Sequence, residues 1–425
     1  MKVLMFGWEF PPHISGGLGT ACFGLVKGLA KHNVDMIFVV PKLFGGEDSQ
    51  YSSLISAGEV EINERNFNYE EYLSYVKYLE VNSGLMPYVS PEDFEKMIEV
   101  SDSKISKVSN IFRGKYEFSG KYGPNLLEEV SRYALIAKVI AKDNPHDLIH
   151  SHDWLTYTAG IAAKKISGKP LVIHVHATEY DRSGENVNQF VFDIERKGMI
   201  EADRIIAVSN LTRNTVINKY GINPDKVFTV HNAVDPVDIK EIYQQKGYPD
   251  KLVTFLGRIT YQKGPEYFIE AAYKVLQKTE NVRFVMAGSG DMLNKMIRRT
   301  AQLGIGNRFH FSGFLKGDDV LKVFSMSDVY VMPSVSEPFG ISPLEAMRSN
   351  VPVIISYQSG VSEILTNAIK VNFWDTDALA NAIYGLVNYK GLEEIFKKNL
   401  LNEVNSLKWE NSAYKVKKVY LSAIK

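Results

Sequence analysis

Twice along this chain a short apolar run leads through a glycine-bearing turn into an amphipathic helix, and the unit then repeats. The first series opens with a strand at 2–7, a loop holding Gly16, Gly17 and Gly19, a helix over 18–31 and a strand at 36–40. A strand returned by a helix to a second strand closes as a parallel pair, whereas a hairpin would serve an antiparallel one. Further strands are predicted at 147–150, 171–175, 204–208 and 226–230, with helices over 125–143, 156–167, 187–201 and 211–220. A second series places strands at 253–256, 283–286, 309–311, 328–332 and 352–355. The expected fold class is α/β: two Rossmann-like domains facing each other across a ligand cleft.

The chain has 425 residues, long for one hydrophobic core, which also favours two domains. The boundaries read as 1–236 and 251–408, joined by a polar linker that would act as a hinge for closure over a ligand, with a final helix over 409–425. A polar insertion rich in Tyr, Ser, Glu and Asn occupies about 45–123, with helical runs at 69–81 and 91–111. Lys plus Arg and Asp plus Glu both number 49, so no net charge favours nucleic acid or an anionic membrane as a bulk partner. The single cysteine, Cys22, excludes an internal disulfide, and no apolar run has the length of a membrane span, so a cytoplasmic protein is expected.

Two stretches of the second series carry candidate chemistry. Residues 334–347, SVSEPFGISPLEAM, follow a strand and open a helix. Glu337 and Glu345 offer carboxylates for hydroxyl groups, and Gly340, beside Phe339, lets a ligand approach the main chain at a helix start. Ser342 and Glu345 equally fit a capping box. Upstream, Arg258 and Lys263 lie in a glycine-bounded loop, Gly257 to Gly264, where a diphosphate would meet a bidentate fork and a point charge. Asp375-Thr376-Asp377 reads as a helix cap rather than a metal pair.

The first series supplies histidines. His150-Ser151-His152-Asp153-Trp154 and His174-Val175-His176-Ala177-Thr178-Glu179 each end a strand, and His-x-His puts two rings on one strand face. His150 and His174 are expected to be satisfied structural histidines. A metal-dependent hydrolase is the rival reading of these pairs, and it needs a further ligand set that includes a carboxylate. A non-catalytic sugar-binding module would keep the same residues without turnover.

Together these motifs resemble the retaining GT-B glycosyltransferases of glycosyltransferase family four, in the branch of the glycogen synthases. The E-x7-E pattern falls on Glu337 and Glu345, and G-R-x-x-x-Q-K-G on Gly257 to Gly264. His152-Asp153-Trp154, Gly288-Ser289-Gly290, the first glycine loop and Trp409-Glu410 before the last helix also fit. The resemblance implies transfer of a sugar, glucose as the best guess, from an ADP- or UDP-sugar to a glycan or small-sugar acceptor, with no metal or other cofactor. It implies that Arg258 and Lys263, with amides near Gly16, Gly17, Phe339 and Gly340, hold the diphosphate. Glu345 would hold the ribose, Glu337 and His152 the sugar, and His176 and Glu179 would line the sugar or acceptor side. It also implies a final helix that crosses back to the first domain. Phosphorylases and epimerases share the fold, but the Glu337/Glu345 pair argues against an epimerase. No lysine stands in Ile14-Ser15-Gly16-Gly17-Leu18, where glycogen synthases of this branch carry one, which leaves acceptors of the sucrose or cell-surface-glycan type as alternatives.

Overall fold

The computed structural model describes residues 1–13, 16–61, 115–123, 125–235 and 249–424. The expected helices at 69–81 and 91–111, Ile14 and Ser15 of the first loop, and 236–248 of the expected hinge lie outside the described residues. The chain divides into two compact units: Met1–Val208, Thr212–Val230 and Trp409–Lys425 form the first, and Ser209–Leu211 with His231–Lys408 form the second. His231 to Asp235, read as closing the first half, therefore belongs to the second, where Val234 bridges Lys408.

In the first unit a seven-stranded sheet runs β3-β2-β1-β4-β5-β6-β7. Its strands are β1 Lys2–Phe6, β2 Asp35–Val40, β3 Ser53–Ser56, β4 Leu148–His152, β5 Leu171–Val175, β6 Arg204–Ala207 and β7 Val227–Thr229, paired in parallel throughout. The helices are α1 Gly17–Lys31, α2 Leu126–Asp143, α3 Trp154–Ser167, α4 Glu179–Ser183, α5 Gln189–Glu201 and α6 Asn210–Tyr220. Sheet strands such as Leu171–Val175 are buried at every position, which parallel strands covered on both faces require. β3 corrects the expected insertion: this edge strand lies inside 45–123, and its two serines around Leu54-Ile55 gave no strand pattern. The strand order reverses between β1 and β4, so the carboxyl ends of those two strands form the switch point where such sheets bind ligands.

The second unit has a six-stranded parallel sheet, β10-β9-β8-β11-β12-β13. Its strands are β8 Lys251–Leu256, β9 Val282–Ala287, β10 Phe309–Gly313, β11 Val329–Met332, β12 Val353–Ser356 and β13 Ile369–Val371. The helices are α7 Pro265–Leu276, α8 Leu293–Gln302, α9 Asp318–Met326, α10 Ser342–Arg348, α11 Thr376–Asn388 and α12 Lys390–Ser406. Three-residue β13 escapes a sequence reading because alternation needs a longer run. Here the order reverses between β8 and β11, which puts the loops 257–264 and 333–340 at one switch point.

The last helix, α13 Trp409–Ile424, packs in the first unit against α1. Gly24 and Gly28 make the approach possible. A Cβ on Gly24 would stand 2.2 Å from the Trp409 ring, and one on Gly28 would stand 2.7 Å from the Trp409 carbonyl oxygen. The second obstacle is backbone and cannot rotate away. Gly28→Val should therefore destabilise the protein by about 3 kcal/mol through overpacking. Urea unfolding checks this, and an unchanged midpoint would show that the helix pair has slack. Among the described residues no helix is long and apolar enough to cross a membrane.

Candidate functional site

At the second switch point the loop after β8 folds against the loop after β11. Gly264 has φ +65°, and a Cβ there would sit 2.1 Å from the Pro333 carbonyl oxygen, so only glycine lets the two loops touch. Gln262 pins the contact, its carbonyl accepting from Val335 N–H at 2.9 Å and its side chain accepting from Arg258 Nη2 at 3.1 Å. Lys263 Nζ pairs with Glu337 Oε2, and Ser334 Oγ donates to the same oxygen at 3.3 Å. The structure thus brings Arg258, Lys263 and Glu337 to one place, on two strands' ends. The main chain of Glu337 is fixed as well: its N–H donates to Gln358 O and its carbonyl accepts from Gly360 N–H, both at 2.9 Å.

Phe339 is buried, and Gly340 turns the chain with φ +97° into α10. A Cβ at Gly340 would meet Met332 Cε at 3.0 Å and Glu337 Cγ at 3.2 Å, so this glycine is required by the turn itself. The capping box does not form. Ile341 is the N-cap, Ser342 is already helical, and its hydroxyl accepts from Tyr330 OH at 2.8 Å. Glu345 is left with no hydrogen-bond donor among the described residues, and burial raises its carboxyl above the ordinary range while the Arg348 charge pulls it down. A half-buried carboxylate without a donor suits hydroxyl groups brought by a ligand. Asp375, by contrast, caps α11 by accepting from Ala378 N–H at 2.9 Å, and Asp377 pairs with Lys274.

At the first switch point Gly16 is the N-cap of α1, with extended backbone that any residue adopts. Among the described residues nothing lies within 4 Å of a Cβ built on Gly16 or Gly17. The main chain at this pair is therefore open to approach. Four histidines fill the neighbouring strand ends. His152 Nδ1 lies 2.9 Å from His176 Nε2, and their rings lie 5.2 Å apart. Burial keeps all four neutral: His150, His152 and His174 fall well below the ordinary histidine range, helped by their mutual repulsion, and His176 falls to about 3. His150 is satisfied on one side only: Nδ1 lies 2.6 Å from Tyr420 OH, and Nε2 is buried with no hydrogen-bond partner among the described residues. His174 departs further from the expected satisfied histidine, since both its ring nitrogens are buried with no partner among the described residues.

Two residues were missed or misjudged by sequence reasoning. Asp153 carries φ +58°, ψ 170°, a region almost reserved for glycine, and its Oδ1 accepts from His176 N–H at 2.7 Å and Ala177 N–H at 3.3 Å. That strained carboxylate fixes the strand end bearing His176, and burial lifts it to about 7 against the pull of Arg182. The only signal was its place between His152 and Trp154. Glu179 stands apart from the histidines' role. Its Oε2 accepts from Arg182 Nε at 3.0 Å, and its Oε1 accepts from Ser183 Oγ at 3.0 Å and Asn188 N–H at 3.2 Å. Both oxygens are spent inside a buried network with Arg182, Glu195 and Tyr220, so Glu179 is a structural anchor. For a metal, Cys22 with His152 and His176, and His150 with His152 and His174, offer donor atoms within 4.8 Å of one another. Neither group holds a carboxylate, which the hydrolase reading needs.

Comparison with known proteins matches residues 236–402 to the glycosyl transferases group 1 model and residues 104–238 to that of Glycosyltransferase Family 4. The chain is 30% identical over 444 aligned residues to an uncharacterized glycosyltransferase of Methanocaldococcus jannaschii, covering 100% of this chain and 99% of that protein. It is 26% identical over 344 residues to a D-inositol 3-phosphate glycosyltransferase of Mycobacterium tuberculosis, covering 75% and 70% of the two chains. Among solved structures, sucrose-phosphate synthase from Thermosynechococcus elongatus superposes with a TM-score of 0.71 at 18% identity, over 99% of this chain and 98% of that one. The HepE protein of Anabaena, in complex with UDP and glucose, gives 0.64 at 16% identity, over 99% and 100%.

Proposed function

The chain belongs to the glycosyltransferases of group 1 and family 4 and has the GT-B fold, and we propose that it moves a sugar, glucose as the best guess, from an ADP- or UDP-sugar to a glycan with retention of configuration and without a metal. The observation that carries this reading is the Lys263–Glu337 pair at the second switch point, with Arg258 in the same loop. Two cations receive the diphosphate, and the carboxylate they stand beside faces the sugar. Glu345, with no donor among the described residues, takes the ribose hydroxyls. Gly16 and Gly17 leave open main chain for the phosphates. His152, held neutral and bonded to His176, meets a sugar hydroxyl.

In the proposed step the acceptor oxygen bonds to the anomeric carbon on the face from which the diphosphate departs. The carbon–oxygen bond to phosphate breaks, and the leaving phosphate oxygen takes the acceptor's proton. Glu337 supports the positive charge on the sugar without forming a bond to it. Support for glucose and UDP comes from a similar fold solved with both; inositol phosphate and sucrose-type acceptors are the alternatives raised by other relatives.

The test is a thermal-shift panel of ADP, UDP, GDP and NAD with and without EDTA, followed by proton NMR of the product. A ligand at a hundred times its dissociation constant adds about 2.7 kcal/mol of stability. Stabilisation by ADP or UDP that survives EDTA, and an α-linked product from an α-linked donor, are expected. Stabilisation by NAD alone, or a β-linked product, would overturn the reading.

A further inference from the structure

We propose that the carboxyl edge of the second unit's sheet carries an oligosaccharide-binding platform beside the donor site, built from Tyr261, Tyr357 and Trp374. The inference rests on the glycosyltransferase reading and extends it to the acceptor, which becomes a run of several neutral sugar rings. Trp8, Trp154 and Trp409 are at most 5% exposed, whereas Trp374 is 57% exposed. Tyr357 is 56% and Tyr261 55% exposed. Other rings such as Tyr389 are exposed singly elsewhere, but these three stand together at one sheet edge, and grouped exposed apolar surface marks a binding face.

The three rings share one edge of one sheet. Tyr261 sits in the loop after β8, Tyr357 directly follows β12, and Trp374 follows β13, in the sheet order β8-β11-β12-β13. That is the edge bearing Lys263 and Glu337, and Tyr261 is in the same loop as Lys263. A second tier holds the rings in place. Phe373 meets the Tyr267 ring at 5.0 Å and the Trp374 ring at 4.8 Å, both edge-on. Tyr357 N–H donates to Val371 O at 2.9 Å, and Gln358 Nε2 donates to Asn372 Oδ1 at 3.1 Å, which ties the two loops together. Supported aromatic faces of this sort need little ordering on binding.

The occupant follows from shape and charge. A pyranose ring presents a flat face of C–H groups that stacks on an aromatic ring, and its hydroxyls stay at the rim. The charges next to Trp374 are matched: Asp377 pairs with Lys274, and Asp375 is spent on its cap. The three rings are themselves uncharged, and the cationic loop at this edge is given over to the donor's diphosphate, so the partner laid on the rings is a neutral glycan.

Trp374 is the one exposed indole, so the full chain reports on itself through tryptophan emission. Titration with maltose through maltoheptaose, and with mannan oligosaccharides, should give a saturable blue shift that strengthens with length in at least one series. Trp374→Ala should abolish the shift and weaken retention in a gel containing the matching polysaccharide by about tenfold or more, while the thermal shift with ADP or UDP is unchanged. No shift with any oligosaccharide, or undiminished retention of Trp374→Ala, overturns the platform. So does a dimer in sedimentation that Trp374→Ala dissolves, since the occupant is then a second copy. If nucleotide still stabilises the wild type while glycans do nothing, the platform falls and the glycosyltransferase reading stands.

Discussion

Lys263→Ala lowers turnover by about a hundredfold or more at saturating donor. In the proposed reaction negative charge grows on the leaving diphosphate as the bond to the anomeric carbon breaks. The Lys263 ammonium, set at the switch point by Gly264 and Gln262 and paired with Glu337, is the cation the proposed reaction offers to that charge. Its loss is therefore felt in the transition state more than in donor binding, and the fall should appear in kcat with a smaller change in KM. The variant also leaves Glu337 buried without its cation, which costs stability. Lys263→Ala combined with Glu337→Gln removes that unpaired charge, so the double variant should regain melting temperature and not turnover. Steady-state kinetics on folded protein decides the matter. Turnover within a few-fold of the wild type in Lys263→Ala would take the lysine out of the reaction.

The site was legible in the sequence where chemistry and punctuation coincide. Gly257 and Gly264 bracket two cations after an apolar run, and a strand followed by such a loop has few places to go in a parallel sheet. The reversal of strand order that brings this loop to Glu337 was not legible, because β8 and β11 are neighbours in the sheet but far apart in the chain, and local periodicity shows strands without showing their order. Ser342-x-x-Glu345 looked like a capping box, yet the helix starts one residue early and Tyr330, distant in sequence, claims the serine. The family resemblance puts Glu179 with His176 on the sugar or acceptor side. The turn of α4 sets Arg182 on its carboxylate, Asn188 N–H joins it, and the distant Glu195 and Tyr220 complete the network. Local spacing predicted which residues cluster on strand ends, and long-range partners decided which of them remain available to a ligand.

The same partners make the protein acid-labile, with stability rising by about 2.7 kcal/mol per pH unit between roughly pH 4.5 and 5.5. His150, His152, His174 and His176 are held neutral by burial in the folded state, with His176 at about 3. In the unfolded chain each takes up a proton below the ordinary histidine value, so folding excludes about four protons in that window. Asp153 and Glu195 act in the opposite sense. Burial lifts both to about 7, so the folded state retains about two protons that the unfolded carboxyls have released. His146, lowered by burial, and Glu345, raised by burial, oppose each other in the same range. The balance is about two protons bound on unfolding, at about 1.36 kcal/mol each per pH unit. Above about pH 7 the histidines are neutral in both states and this contribution becomes flat. Urea unfolding across this range measures the slope. His174→Leu, which removes a ring whose two nitrogens have no partner among the described residues, should reduce it by about one proton. A flat profile, or stability that increases as the pH falls toward 5, would mean that the histidine cluster accepts protons in the folded state, and the packed neutral stack described above would not be the form in solution.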